Sequence, residues 1–201
     1  VKNVTAIVLA GGQGKRLGQA KAMLKLGGEV LIEGVIEKVT TLADEVIVVT
    51  SNSQNNLPHD LEAEVFTDIY PGKSALGGVY TGLVKSGNTY NLVVACDMPF
   101  LNLGLLEYMT SLASGVDMVT IKVGHNAEPL HGIYSKQCIG PIQNMIEKND
   151  LQINHLLEAV KVRYIDEDEL DKYDPHHLSF FNINNRTDFA RAKKLKEAMA
   201  K

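Results

Sequence analysis

The run Val4-Thr5-Ala6-Ile7-Val8-Leu9, passing at once into Ala10-Gly11-Gly12-Gln13-Gly14-Lys15-Arg16-Leu17-Gly18, constrains this chain more than any other segment. A strand with one wet face alternates apolar and polar residues. A nearly continuous apolar run marks a strand covered on both faces, as in a parallel sheet flanked by helices. The run is far too short to cross a bilayer, which takes roughly 20 residues as a helix. The glycines that follow it let the backbone turn tightly and bring its N–H groups close to a ligand.

The same strand type recurs at Val46-Ile47-Val48-Val49, Leu92-Val93-Val94-Ala95 and Met118-Val119-Thr120-Ile121. Between the strands, Leu31, Ile32, Val35, Ile36 and Val39 fall at helical spacing, as do Ile153, Leu156, Leu157 and Val160. Asn185 is placed to cap a last helix, with Asp188 in its first turn and Phe189, Ala192, Leu195 and Met199 as its buried stripe. The acidic stretch from Asp166 to Asp171 reads as a solvated turn or short helix. This alternation predicts an α/β fold: a Rossmann-like mixed, mostly parallel sheet with helices on both faces. With 201 residues and no repeat or linker, residues 1–201 are expected to form a single domain.

A formal net charge of -4 argues against a polynucleotide or anionic membrane partner, so any anion must be met locally. Cys96 lies in an apolar run and reads as a buried thiol; with Cys138 as its only companion, a zinc site is not expected. The chain opens directly into a strand without a basic and hydrophobic leader, so a cytoplasmic location is expected.

Lys15, Arg16 and Lys21 arrive with the glycines, which favours phosphate binding over a plain strand-to-helix turn. Spacing excludes two familiar loops. A P-loop needs a glycine where Leu9 stands and a hydroxyl where Arg16 stands; a dinucleotide fingerprint would need a small residue at Leu17. The fingerprint also needs an acid ending the second strand, where Thr50-Ser51-Asn52 stands. Cys96-Asp97-Met98-Pro99-Phe100 puts a carboxylate at the end of an apolar strand, the edge where open α/β sheets bind ligands. One carboxylate shared with phosphate oxygens and water is a common way to hold Mg²⁺. A second acid, Asp68, follows Val65-Phe66-Thr67 and precedes Ala75-Leu76-Gly77-Gly78-Val79-Tyr80-Thr81-Gly82, glycines at the start of an expected helix. Those glycines suit either a close backbone approach to a ligand or tight packing on the sheet.

In order along the chain, these segments resemble the molybdenum cofactor guanylyltransferase family of the nucleotidyltransferase superfamily. The resemblance is carried by Leu9-Ala10-Gly11-Gly12, Arg16-Leu17-Gly18, Lys21, the stretch from Asp68 to Gly78, Cys96 to Phe100, Glu128 to Tyr134, and Phe181-Asn182-Ile183-Asn184-Asn185. It implies transfer of GMP from GTP to the terminal phosphate of molybdopterin, with release of pyrophosphate. It further implies a nucleotide pocket of Leu9, Ala10, Gly11, Gly12, Lys21, Asn52, Asp68 and Asp97. Asp97 would hold Mg²⁺, Arg16 and Lys21 would offset phosphate charge, and Asn182 and Asn184 would lie on the acceptor side. Partners implied are the two small substrates and other proteins of molybdenum cofactor biosynthesis. His131 has motif context, with a structural role as reasonable as contact with the pterin. Ala20 stands where the family carries aspartate, and Gln13-Gly14-Lys15 lacks its serine. A cytidylyltransferase of the same superfamily, or a regulator that binds nucleotide without turnover, are the rival readings. Gly11, where cytidylyltransferase relatives carry alanine, favours guanine.

Overall fold

The computed structural model describes residues 3–11, 21–51 and 57–199. Nine strands are described: β1 Val4–Leu9, β2 Lys25–Leu26, β3 Glu29–Val30, β4 Glu45–Thr50, β5 Glu64–Thr67, β6 Tyr90–Ala95, β7 Met118–Val123, β8 Asn126–Ser135 and β9 Val162–Ile165. The helices are α1 Leu31–Thr40, α2 Ser74–Lys85, α3 Leu103–Ser111, α4 Ile139–Glu147, α5 Leu156–Ala159, α6 Glu167–Leu170 and α7 Arg186–Met199. Strands β2 and β3 form a small antiparallel hairpin; the other seven make one sheet in the order β5-β4-β1-β6-β8-β7-β9. Every pairing in that sheet is parallel except those of β8, which runs against both β6 and β7. The expected mixed, mostly parallel sheet is what forms.

Side chains along each central strand alternate between two cores, which is why the strands read as unbroken apolar runs. Ala6, Val8, Val46, Val48, Leu92 and Val94 face one core, shared with Ile32, Val35 and Ile36 of α1 and Leu105, Leu106 and Met109 of α3. Ile7, Ile47, Val49 and Val93 face the other, shared with Leu76, Val79 and Leu83 of α2 and Ile142, Met145 and Ile146 of α4. Helices therefore cover both faces. A third, smaller cluster of Leu24, Leu26, Leu31, Phe100, Ile183 and Ala192 docks α7 beside the hairpin.

Two expectations fail. The stripe from Ile153 to Val160 is not one helix. Ile153–His155 is a single 3-10 turn, α5 adds four residues, and Val160 is already extended, leaving Leu156 as its one fully buried member. Met199, assigned to the buried stripe of the last helix, is 68% exposed. Ala192 is the buried residue of that helix, while in its last turn Lys196 donates to Leu26 O and Glu29 of the hairpin and Met199 lies at the open rim beside them. The cap is as expected: Asn185 Oδ1 accepts from the Asp188 N–H at 2.9 Å. The acidic stretch is α6, closed by a capping box between Asp166 and Glu169. Among the described residues no helix is long and apolar enough to cross a membrane.

Candidate functional site

The chain runs from β1 outward through β4 to β5, then returns to place β6 on the other side of β1. That reversal opens a crevice at the carboxyl ends of β1 and β6, the place where such sheets bind ligands. The end of β1 is pinned on both sides, because Ala10 N–H donates to Val49 O at 2.8 Å and Leu9 O accepts from Cys96 N–H at 3.1 Å. The ends of β4, β1 and β6 are thereby locked in register, and Asp68 N–H on Thr50 O at 2.8 Å adds β5.

A cleft of about 540 Å³ lies over these four ends. Of the residues expected from sequence, Leu9, Gly11, Lys21, Asp68, Asp97, Asn182 and Asn184 all line it. Ala10 sits between Leu9 and Gly11, half-buried against the first core. Gly12, Arg16 and Asn52 lie outside the described residues. Ser51, Gly72, Ala75 and Leu130 line the cleft without having been singled out. Ser51 had a signal available, its place directly after β4; the others come from a turn, a helix start and the antiparallel strand.

The charged centre is a pair contributed from far apart in sequence. Lys21 Nζ donates to Asp97 Oδ2 at 2.6 Å and to Asn184 Oδ1 at 2.7 Å. Asp97 is 7% exposed, so its carboxylate needs this partner or an equivalent cation. The segment bearing Asn184 is tied to the same strand end by Ile183 N–H on Asp97 O at 3.1 Å. Asn182 donates to Phe180 O at 3.1 Å, which shapes the turn. Cys96, beside Asp97, is buried and its thiol is pushed up to about 12 by desolvation, so it serves as wall rather than nucleophile.

Asp68 is also buried, but its setting differs. Its Oδ1 accepts from Tyr70 N–H at 2.9 Å and from the Thr81 hydroxyl at 3.0 Å. It stands at the end of β5, three strands from Asp97 on β6. At about 4.8 Å per strand the two strand ends are about 14 Å apart, so the two acids serve different parts of the cleft. Among the described residues no three His, Cys, Asp or Glu side chains gather to cage a metal. A carboxylate that is single among the described residues at this strand end suits Mg²⁺, which keeps waters and borrows ligand oxygens, and would not suit zinc.

His131 does not reach the cleft. It is fully buried in β8, with Nε2 2.8 Å from Ser179 Oγ, and desolvation pushes its pKa down to about 4. Ser179 also accepts from Asn102 N–H at 3.0 Å and donates its own N–H to Asp174 at 2.6 Å. The histidine is thus a neutral strut between β8 and the 174–179 loop. The glycines of α2 divide by role. A Cβ on Gly82 would stand 2.4 Å from Ile7 Cγ2, so that glycine serves helix–sheet packing. A Cβ on Gly11 would meet Ser51 Cβ at 3.6 Å, an ordinary contact, so packing against the described residues does not demand a glycine there. The space beside Gly11 belongs to the cleft.

Comparison with known proteins agrees with this geometry. Residues 6–164 match the family of MobA-like NTP transferase domains. A probable molybdenum cofactor guanylyltransferase of Pelotomaculum thermopropionicum is 32% identical, over 96% of this chain and 93% of that protein. The crystal structure of molybdopterin-guanine dinucleotide biosynthesis protein A from Archaeoglobus fulgidus superposes with a TM-score of 0.86 at 30% identity, covering 97% of this chain and all of the other. The 2-C-methyl-D-erythritol 4-phosphate cytidylyltransferase of Thermus thermophilus shares the fold alone, at 16% identity and a TM-score of 0.70 over 96% of this chain and 98% of that one.

Proposed function

Because the chain belongs to the family of MobA-like NTP transferase domains, we propose that it transfers GMP from GTP to the terminal phosphate of molybdopterin. The observation that carries this reading is the cleft in which the Gly11 backbone, Lys21 and Asp97 converge on one sheet edge, in a chain about 30% identical to guanylyltransferases along its length.

An oxygen of the molybdopterin phosphate attacks the α-phosphorus of GTP. The bond from that phosphorus to the β-phosphate oxygen breaks, and pyrophosphate leaves. A phosphate monoester is already anionic at neutral pH, with a second pKa near 6, so no strong general base is needed. The protein's work is alignment and charge neutralisation. The Lys21 ammonium, held between Asp97 and Asn184, faces the negative charge that grows on the leaving pyrophosphate. Asp97 would hold Mg²⁺, which when bound supplies Lewis-acid charge neutralisation at phosphate oxygens. Asp68, at the far end of the cleft, serves the nucleoside. Asn182 and Asn184, arriving from the C-terminal segment, border the acceptor side.

The test is pyrophosphate release by the purified chain with molybdopterin and Mg²⁺, offered GTP, CTP and ATP separately, with and without chelator. GTP should be used well, the others poorly, and chelation should stop turnover. A preference for CTP would overturn the guanylyl assignment and leave the fold intact.

A further inference from the structure

We infer that Thr81 is a positioning residue which, through Asp68, sets the preference for guanine; this rests on the guanylyl-transfer reading. Thr81 lies in the second turn of α2 with no exposed surface. Its Oγ1 accepts from Ile69 N–H at 2.9 Å and lies 3.0 Å from Asp68 Oδ1. A hydroxyl has a single proton, and with Ile69 as donor that proton goes to Asp68. Tyr70 N–H donates to the same Oδ1 at 2.9 Å. Both lone-pair positions of Oδ1 are therefore taken by protein, and the other oxygen is the one left for a ligand.

The carboxylate is fenced as well as bonded. A Cβ on Gly77 would stand 2.6 Å from Asp68 Oδ2, 2.9 Å from Oδ1 and 2.8 Å from Tyr70 O, so α2 walls one side of the whole carboxylate and a ligand meets Oδ2 from the cleft side. An Asp whose χ2 is free would sample many orientations; this one is held from two directions. An ionised carboxylate only accepts, so its ligand must present N–H or O–H groups. Guanine sets two N–H donors side by side on its Watson–Crick edge. Adenine and cytosine set a lone pair beside their amino group, which a fixed carboxylate oxygen repels. Fixing the oxygen is what turns a general acceptor into a selective one, since discrimination grows when mismatched groups stay unpaired in a buried site.

The experiment compares kcat/KM for GTP and ATP, together with the Kd of GTP, in wild type, Thr81→Val, Thr81→Ser and Asp68→Asn. Thr81→Val keeps the shape and removes both the donor to Asp68 and the acceptor for Ile69 N–H. It should weaken GTP use and binding by about tenfold or more, the scale of one hydrogen bond to a charged group. ATP use should change little, so the GTP:ATP ratio falls, and Thr81→Ser should restore it. Asp68→Asn should lower the ratio too, and adding Thr81→Val to it should lower it no further. If Thr81→Val does not fold, Thr81→Cys, with its weak donor, should give an intermediate ratio. An unchanged ratio in the Val or Cys variant overturns the inference, as does an equal loss for both nucleotides, which would place Asp68 on the ribose. A wild type without any preference for GTP would instead defeat the guanylyl reading itself.

Discussion

Removing the Asp97 carboxylate tests the centre of the site, and two magnitudes have to be kept apart. The Lys21 and Asp97 side chains are 19% and 10% exposed, and their ion pair closes at 2.6 Å. Breaking a fully buried pair from one side costs about 3–5 kcal/mol. Here the stranded ammonium keeps Asn184 as a described partner at 2.7 Å and opens onto a cleft that water enters. The loss of stability in Asp97→Ala should therefore be smaller, about 1–2 kcal/mol. In a chain of this size that lowers the melting temperature by roughly 3–6 °C. Turnover should fall much further, by about a hundredfold or more, the scale of removing one main electrostatic contact at a reacting phosphate. The assays are Mg²⁺-dependent pyrophosphate release at a temperature where both proteins are folded, and thermal unfolding followed by circular dichroism. Adding Lys21→Ala should return part of the lost stability, because it deletes the stranded ammonium, and should leave turnover no better. Near-normal Mg²⁺-dependent turnover in Asp97→Ala would refute the assignment.

Lys21→Ala alone should lower kcat more than it raises KM for GTP, since its ammonium opposes charge that develops in the transition state; a change confined to KM would make it a ground-state phosphate clamp. Gly11→Ala should leave stability within about 0.5 kcal/mol, its new methyl meeting Ser51 at ordinary contact distance, while shifting use from GTP toward CTP. Gly82→Ala should do the opposite, costing about 1–3 kcal/mol against Ile7 with base choice unaltered; thermal melts and the nucleotide panel read both. For His131 the folded pKa of about 4 lies below the ordinary 6.5, so between those values the unfolded chain binds the extra proton. Its contribution, about 3 kcal/mol, is fully present above pH 6.5 and is lost as pH falls toward 4. Melting temperatures from pH 7 to 4.5 should fall less steeply in His131→Gln than in wild type, and equal slopes would discard the argument.

The strands that end under the site can be read from the amino-acid sequence. Strands β1, β4 and β6 are legible because burial on both faces leaves a continuous apolar run, and α1 because its buried stripe repeats at helical spacing. A carboxylate or a glycine directly after such a run surfaces at the ligand-binding edge, which is why Gly11 and Asp97 could be named from the run itself, whereas Asp68 follows a largely exposed edge strand and was assigned to the pocket through the family resemblance. Strand β8 was not legible. Its Glu128-Pro129-Leu130-His131 stretch shows no clean alternation, because a strand set antiparallel in the sheet interior has its polar groups satisfied by distant partners.

Which polar groups meet is set by how the elements pack. Asn184 reaches Lys21 from 163 residues away, and Thr81 reaches Asp68 across the turn that folds α2 back onto the sheet. His131 was a motif residue on paper and became a buried strut once Ser179 closed over it. Apolar periodicity is a local property of the chain and survives in the sequence. A hydrogen-bond partner depends on how separate elements are stacked, and no local pattern records it.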